Sequence, residues 1–238
     1  SDPPAAWFAY SPDRQGKHPE LHLRSFRGVL QADAFAGYDR LFSTSREGGV
    51  LTEAACWAHA RRKIHDVYIS SQSATAEEAL KRIGELYAIE AEIRGMPETE
   101  RLAARQSRSA PLLASLHEWM VEKSATLSKK SRLGEAFTYA LNQWDALCYY
   151  CRDGLAEPDN NAAERALRAV CLGKKNYIFF GSDHGGERGA LLYGLIGTCR
   201  LNGIDPEGYL RHILSVLPEW PINKVAELLP WNVDLTNK

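Results

Sequence analysis

The feature of the sequence that most constrains the fold is a long stretch, residues 75 to 153, in which apolar side chains recur at spacings of three and four. This spacing is typical of helices that pack one face against a core. The stretch contains three such apolar groups: Leu80, Ile83, Leu86, Tyr87 and Ile93; then Leu112, Leu113, Leu116, Trp119 and Met120; then Leu133, Phe137, Ala140, Leu141, Trp144 and Cys148. The sequence therefore predicts a block of packed helices here, without core strands.

Short strand-like segments precede this block. Residues 5 to 10 are aromatic and apolar, and residues 29 to 33 form an apolar run that ends in the carboxylate of Asp33. Residues 50 to 57 form a third run of this kind. Short runs bounded by turn residues favour strands. The charged segment that follows, residues 58 to 68, is predicted to be helical.

Helices dominate again after the block. One is predicted to begin near Asp159, because aspartate is a good N-cap and Pro158 just before it ends the preceding element. The run from Tyr177 to Phe180 is β-prone. Three further helices are predicted over residues 186 to 201, 205 to 217 and 222 to 229.

The order of these elements indicates an α/β core that an all-helical segment interrupts. We therefore predict four parts along the chain. They are a first part of the core (residues 1–74), a helical insertion (75–153), a second part of the core (154–203) and a C-terminal helical segment (204–238).

Composition limits the classes of protein that this chain can belong to. The 238 residues are 45% hydrophobic, which is enough for a sizeable core, and the net charge of −1 means that any nucleic-acid binding depends on a local basic face. The apolar runs are too short to span a bilayer, and five irregularly spaced cysteines argue against a disulfide framework. These properties predict a soluble, intracellular protein.

Two carboxylates are candidates for metal-dependent chemistry. Two-metal phosphoryl transfer needs carboxylates that converge on paired hard cations. Asp33 ends a predicted strand, and Glu164 lies in the first turns of a predicted helix, flanked by arginines. Each also has a simple structural interpretation. Asp33 could cap a turn, and Glu164 could pair with Arg168 one helical turn away.

Long, ordered motifs carry a family resemblance. The strings are WFAYSPDRQGKHPE, GVLQADAFAGYDRLF, EAACWAHARRK, DNNAAERALRAVCLGKKNYIFFGSDHGGERGA and LPEWPINKVAELLPWN. From about residue 5 to residue 232 the chain closely resembles bacterial transposases of the insertion-sequence-66 family. The resemblance implies an RNase-H-like catalytic domain of the DDE type, with a mixed sheet flanked by helices. It also implies that Asp33 is the second catalytic aspartate and Glu164 the catalytic glutamate.

The resemblance places the first catalytic aspartate of the family on a strand upstream of the WFAYSPDR string. We therefore expect this chain to lack that strand and the family's N-terminal DNA-binding and zinc-binding regions, as an N-terminally truncated copy, a fragment or one piece of a split gene. With two of the three carboxylates, the chain alone is expected to bind DNA weakly without cleaving it.

Further site residues are predicted around the two carboxylates. His59 resembles a histidine that several DDE transposases carry after the second aspartate, although it could also simply pack in the interior. The predicted DNA contacts are Arg61, Arg62, Lys63, Arg165, Arg168, Lys174, Lys175 and Arg188. Consecutive charges such as those at residues 61 to 63 more often form a solvated face, so both interpretations stay open here.

The implied cofactor is Mg²⁺ or Mn²⁺ in a two-metal arrangement, and zinc is not expected. A zinc site built from Cys56, His59, Cys148 and Cys151 is an alternative, but the second cysteine pair lies on an apolar helix face that favours packing.

The implied partners are DNA, as element ends and target, and further copies of the chain in a homo-oligomer, with no membrane. The implied location is the bacterial cytoplasm, in association with the nucleoid. The principal alternative function is a non-catalytic remnant that binds DNA or other subunits.

Overall fold

The structure is a computed structural model that describes residues 3–128, 130–233 and 235. The chain folds into two compact units. We call residues 15–161 the central unit, and residues 3–14 together with 162–238 the terminal unit. Among the described helices, none is both long and apolar enough to cross a membrane.

The central unit contains seven α-helices and two short strands among its described residues. In chain order they are α1 (Lys17–His22), β1 (Val29–Gln31), β2 (Thr52–Ala54), α2 (Trp57–Ser71), α3 (Ala74–Glu92), α4 (Glu98–Ala104), α5 (Ala110–Thr126), α6 (Arg132–Asn142) and α7 (Trp144–Leu147). Two 3₁₀ helices (Ala36–Phe42 and Tyr149–Cys151) and a π-helical turn (Arg105–Ser109) complete it.

Local sequence explains where the long helices of this unit begin and end. The hydroxyl oxygen of Ser73 accepts a hydrogen bond from the Ala76 amide at the start of α3, and that of Ser131 accepts one from the Gly134 amide at the start of α6. Such side-chain caps satisfy amides that have no partner within the helix. Helix α2 ends at Gln72, whose left-handed backbone (φ 51°) turns the chain toward α3.

The RNase-H-like mixed sheet predicted for this chain is wrong. The described structure is 67% helical and 3% strand, and its sheet consists of β1 and β2 alone, paired in parallel with Val29 opposite Thr52 and Gln31 opposite Ala54. The predicted strand over residues 50 to 57 shortens to three residues because α2 already begins at Trp57.

The strand predicted over residues 29 to 33 is confirmed over Val29–Gln31, whereas the strand predictions for residues 5 to 10 and 177 to 180 are wrong. Residues 5 to 10 alternate between exposed and half-buried, but their backbone joins no described strand. Instead, Ala6 donates its amide hydrogen to the Thr198 hydroxyl oxygen at 3.1 Å. Tyr177 ends a helix, and residues 178 to 180 form the turn after it. Apolar, aromatic composition favours strands only where a partner strand is available.

The core of the central unit lies between α2, α3, α5 and α6, and it follows the predicted apolar spacing. Ile64, Ile83, Leu116 and Phe137 are almost completely buried in it. Trp57, at the start of α2, is buried too, and its indole N–H donates to the Leu147 carbonyl at 2.9 Å. No strand interrupts the described residues between 75 and 153, whereas the origin of this span as an insertion stays a prediction.

A buried ion pair between Arg105 and Glu90 stabilises the part of the central unit where helices α3 and α4 meet residues 150 to 156. Arg105 is completely buried, and its guanidinium donates two hydrogen bonds, at 2.8 and 2.7 Å, to the carboxylate of Glu90. Its remaining donors reach the carbonyls of Tyr150, Asp153 and Ala156 at 3.2, 2.9 and 2.7 Å. A buried charge is tolerated when it is paired and hydrogen-bonded in this way.

The terminal unit is built on α8 (Asn161–Tyr177), α9 (Asp183–Leu201) and α10 (Pro206–Val216). Asp205 caps α10 through the Gly208 amide, and Pro206 occupies its first turn, as the sequence predicts. Three 3₁₀ helices follow, at Leu217–Glu219, Ile222–Leu228 and Pro230–Asn232. The Tyr209 hydroxyl holds this tail by donating to the Leu228 carbonyl at 2.7 Å.

The extended segment at residues 3 to 10 packs along α9 in the terminal unit. A Cβ atom at Gly186 would lie 2.3 Å from the Tyr10 ring, so only glycine permits this approach. The Tyr10 hydroxyl donates to the Asp183 carboxylate at 2.7 Å, and the Asn202 amide donates to the Pro4 carbonyl at 2.8 Å.

Candidate functional site

Asp33 lies two residues beyond β1, where the parallel ladder ends with the Ala32 amide donating to the Ala54 carbonyl at 3.1 Å. Its side chain is half-buried. A nearby phenol is that of Tyr139, whose pKa is raised by burial first and then by the charges of Cys56 and Asp33. Asp33 therefore lies near Tyr139 of α6, although the two residues are distant in the chain.

A second carboxylate, on β2, lies in the same acidic region. Burial raises the pKa of Glu53, and the nearby charge of Asp39 raises it further. Glu53 also contributes to the raised pKa of Tyr139. A carboxyl group with a raised pKa beside Tyr139 can hold or release a proton at higher pH than an ordinary glutamate.

The start of α2 is organised around the buried sulfur of Cys56. The thiol accepts a hydrogen bond from the Asn160 amide at 3.4 Å. Burial raises the pKa of Cys56 despite this bond. The predicted site residue His59 lies half-buried in this first turn. Cys56 is therefore a buried structural residue at the N-terminus of α2.

The cysteines of the alternative zinc site lie in buried surroundings. Among the described residues, no group of three His, Cys, Asp or Glu side chains is placed to hold one metal ion, whether zinc or Mg²⁺. Burial raises the pKa of Cys148 to about 12 and that of Cys151 to about 11. Thiols in such surroundings resist the deprotonation that zinc binding requires.

The three consecutive cations of α2 point in two directions. Arg61 and Arg62 are exposed and line a concave site of about 410 Å³ together with His65 on the same helix. Lys63 instead places its ammonium group 4.6 Å from the centre of the Tyr139 ring, next to the surroundings of Asp33. The sequence alone treats these residues as one charged run, whereas the helix separates them.

The opposite wall of the concave site comes from α3 and from Asn161, the last residue of the central unit. Gly84, Tyr87 and Asn161 line it, and the Tyr87 hydroxyl donates to the Asp159 carboxylate at 3.2 Å. Burial and the Asp159 charge raise the pKa of Tyr87, so its hydroxyl remains protonated and keeps its hydrogen bond to Asp159. The same carboxylate accepts the Asn161 amide at 3.2 Å. Two arginines and a histidine give this site the basic side chains of an anion-binding pocket.

Glu164 lies in the first turn of α8, in the terminal unit, and is exposed. Arg165 is exposed on the same helix, Arg168 follows it one turn later, and none of the described α8 residues is fully buried. Asp33 belongs to the central unit, so its convergence with Glu164 stays a prediction.

The remaining predicted cations also belong to the terminal unit. Lys174 and Lys175 lie in the last turn of α8, and Arg188 is exposed on α9. An elongated groove of about 700 Å³ runs beside α8, lined by Arg165 and Arg200 among mostly apolar side chains. The terminal unit thus offers cations on both of its long helices.

Sequence reasoning misses several residues of these sites. The sequence treats Tyr87 and Tyr139 only as core residues and Asp159 only as a helix cap, and it assigns no role to Glu53. All four depend on contacts between residues far apart in the chain, such as the 72 positions that separate Tyr87 from Asp159. Spacing within one helix cannot indicate such contacts.

Two family models match the chain. The model described as "Transposase IS66 family" matches residues 1–188, and the one described as "IS66 C-terminal element" matches residues 194–231. Relatives from Sinorhizobium fredii include the uncharacterized protein y4hP, 40% identical over 96% of this chain and 44% of the relative. The uncharacterized protein y4qI is 35% identical over 98% of this chain and 44% of the relative.

A shorter relative is the uncharacterized protein YuaK of Escherichia coli, which is 41% identical over 24% of this chain and 62% of the relative. The chain spans less than half the length of the two Sinorhizobium relatives, at 44% of each. No solved structure matches the chain.

Proposed function

The chain belongs to the transposase IS66 family, and from that premise we propose that it forms part of the catalytic region of an enzyme that cuts and joins DNA. The observation that carries the proposal is the match of the two family models to residues 1–188 and 194–231, which together take in nearly the whole chain. The motifs around Asp33 and Glu164 lie inside the first match.

Asp33 and Glu164 are the proposed metal-holding carboxylates. Carboxylate oxygens, with water and substrate phosphate, are the ligands that Mg²⁺ and Mn²⁺ prefer, so the donor chemistry of these residues fits such ions. When bound, the ions neutralise negative charge that develops during phosphoryl transfer. Half-burial would restrain Asp33 at the end of β1, while Glu164 is carried by the first turn of α8. His59, half-buried at the start of α2, is proposed to face the reacting groups.

DNA is the proposed partner, held through its phosphates. Arg61 and Arg62 line the concave site of the central unit, and they offer planar groups that bind phosphate oxygens in pairs. Lys63 is proposed to act beside Tyr139. The terminal unit contributes Arg165, Arg168, Lys174, Lys175 and Arg188. The intact enzyme is expected to act as a homo-oligomer, as the family resemblance implies.

One titration tests both parts of this proposal. A labelled DNA duplex is titrated with the full chain at several salt concentrations, with and without Mn²⁺, and binding is followed by fluorescence anisotropy. Phosphate contacts make affinity fall with salt, and removing two contacts in Arg61→Ala/Arg62→Ala should reduce the slope by about two. Mn²⁺ should tighten binding by the wild type, but not by Asp33→Asn/Glu164→Gln.

Matched control variants come from α5, where the exposed Glu122 and the half-buried Lys123 pair with each other at 3.0 Å. Lys123→Ala and Glu122→Gln should leave both the salt slope and the Mn²⁺ effect unchanged. Salt-insensitive binding, or no binding, would contradict the DNA-binding role. An equal Mn²⁺ effect in wild type and Asp33→Asn/Glu164→Gln would contradict the metal-holding role.

A further inference from the structure

The turn between α8 and α9 presents two large apolar side chains to solvent. Ile178 is 72% exposed and Phe179 is 69% exposed, and both lie directly beyond the last residue of α8. The two residues are consecutive in the chain, so they form one contiguous exposed apolar surface on the turn. The pair has no part in the metal or phosphate contacts proposed above.

The backbone of this turn is strained at Ile178. Its φ of +65° is in the left-handed region, where a β-branched side chain is a clear outlier. The residue that follows a helix commonly adopts this conformation, but it is usually glycine or asparagine. Here the Ile178 amide donates to the Lys174 carbonyl at 2.9 Å. The chain therefore has an apolar side chain at a position where a less strained residue would end the helix.

Contacts of the neighbouring residue Phe180 fix the turn, while Ile178 and Phe179 stay exposed. The Phe180 ring packs against α9 so closely that a Cβ atom at Gly189 would lie 2.4 Å from it, and it also contacts the Tyr177 ring, with the centroids 5.1 Å apart. The Phe179 amide donates to the Tyr177 carbonyl at 2.7 Å. Phe180 thus anchors the turn, and Ile178 and Phe179 project away from the anchor.

Positive charges lie on both helices that the turn joins. Lys174 and Lys175 lie in the last turn of α8, and Arg188 is exposed on α9. Two acidic residues at the start of α9 are already engaged, because Asp183 accepts a hydrogen bond from Tyr10 and Glu187 pairs with His184 at 3.3 Å. An exposed apolar turn between two helices that carry cations matches the chemistry of DNA, whose stacked bases lie between rows of phosphates.

We propose that Ile178 and Phe179 form a wedge that enters a terminal base step of the DNA and unstacks it, while Lys174 and Lys175 hold the neighbouring phosphates. Apolar side chains inserted between base steps partly unstack them. A duplex end opens at lower cost than the interior, since its last pair has one stacking neighbour. The inference rests on the proposed function, because it takes DNA as the substrate.

The test separates binding from unstacking. The full chain is added to a duplex that carries 2-aminopurine at its terminal pair or at its centre, because this base becomes brighter when it is unstacked. Anisotropy reports binding on the same samples. The wild type should raise the terminal signal several-fold and the central signal much less. Ile178→Asn/Phe179→Ser should abolish the terminal rise at saturating protein, with a smaller loss of affinity.

Two further variants act as controls. Lys174→Gln/Lys175→Gln should weaken binding and reduce the salt slope by about two, but it should retain the terminal rise once the DNA is saturated. Ile178→Asn alone should keep or raise the melting temperature, because asparagine tolerates the left-handed backbone. A clear fall in melting temperature would indicate that Ile178 is needed for packing and would overturn the wedge.

The remaining outcomes are also decisive. Binding by the wild type without a terminal rise, or a rise that survives Ile178→Asn/Phe179→Ser, overturns the wedge and leaves the proposed function intact. Failure to bind any duplex overturns the proposed function and the wedge with it. Self-association that the double variant abolishes, with no change in DNA unstacking, would overturn the wedge and assign the pair to a protein interface instead.

Discussion

The two units of the molecule differ in how many side chains their helices bury. In the central unit, α2, α3, α5 and α6 bury a continuous apolar cluster that extends from Ala55 to Cys151. In the terminal unit, few described side chains are buried, among them Cys199, Tyr209 and Leu228, and none belongs to α8. The comparison indicates that the central unit supplies its own stability, whereas the terminal unit keeps polar and basic side chains accessible.

The same contrast applies to charged pairs. Glu90 and Arg105 in the central unit are almost completely buried and surrounded by further hydrogen bonds. Glu207 and Arg211 in the terminal unit form a pair one helical turn apart, at 3.1 Å, with about four fifths of each side chain exposed (82% and 79%). Removing one partner of a buried pair leaves an uncompensated charge, while water compensates at the surface.

Cysteine reactivity should show the largest difference between the core of the central unit and the exposed face of α8, although Cys199 of the terminal unit is itself buried. Burial raises the pKa of Cys148 from 9.0 to about 12, so at pH 8 its thiolate fraction is about 1000-fold lower than that of an ordinary thiol. Cys151 should be slow for the same reason, whereas Cys171 is exposed on α8 and should react readily with iodoacetamide. Mass spectrometry of the native protein after timed labelling measures the three rates.

Labelling in concentrated urea is the control for this prediction, because all the cysteines should then react at similar rates. The pH dependence has a defined sign. The buried thiol is favoured in its neutral form, so its contribution to stability is present below about pH 9 and is lost as the pH rises toward 12. Equal native rates for Cys148 and Cys171 would remove the proposed difference between the two environments.

The buried ion pair should give the next largest effect. Glu90→Ala leaves the Arg105 guanidinium buried without its carboxylate and should lower the free energy of unfolding by about 3–5 kcal/mol. The matched variant Glu207→Ala removes the carboxylate of an exposed pair and should cause no measurable loss. Urea denaturation followed by circular dichroism compares the two. Similar losses for both variants would show that burial does not distinguish the pairs.

The helical block was largely predictable because its signal is local. Apolar spacing of three and four specifies which face of a helix is buried, and Ile83, Leu116 and Phe137 are buried as that spacing indicates. Helix starts were predictable where a capping residue and a proline coincide, as at Asp205 and Pro206.

The sheet was not predictable in the same way. A strand needs a partner elsewhere in the chain, and the apolar run at residues 5 to 10 pairs with α9 side chains instead of a strand. The residues of the candidate site show the same difference between local patterns and long-range contacts. Asp33 and Glu164 were identified from motifs, but the position of Tyr139 beside Asp33 arises from residues more than 100 positions apart, which no local pattern specifies.

Helix caps should give the smallest difference, and they test whether the units differ in local structure or only in packing. Ser131 caps α6 in the central unit through the Gly134 amide at 3.1 Å, and Ser182 caps α9 in the terminal unit through the Gly185 amide at the same distance. Replacing a capping serine with alanine typically costs about 1 kcal/mol. Because the bonds are alike, Ser131→Ala and Ser182→Ala should cost similar amounts, measured by denaturation with a probe in each unit. Replacement with glycine should cost only a few tenths of a kcal/mol at both sites, since glycine is itself tolerated at this position. A loss several times larger for Ser131→Ala would mean that packing in the central unit amplifies a local defect, and the contrast between the units would then extend to the helix ends.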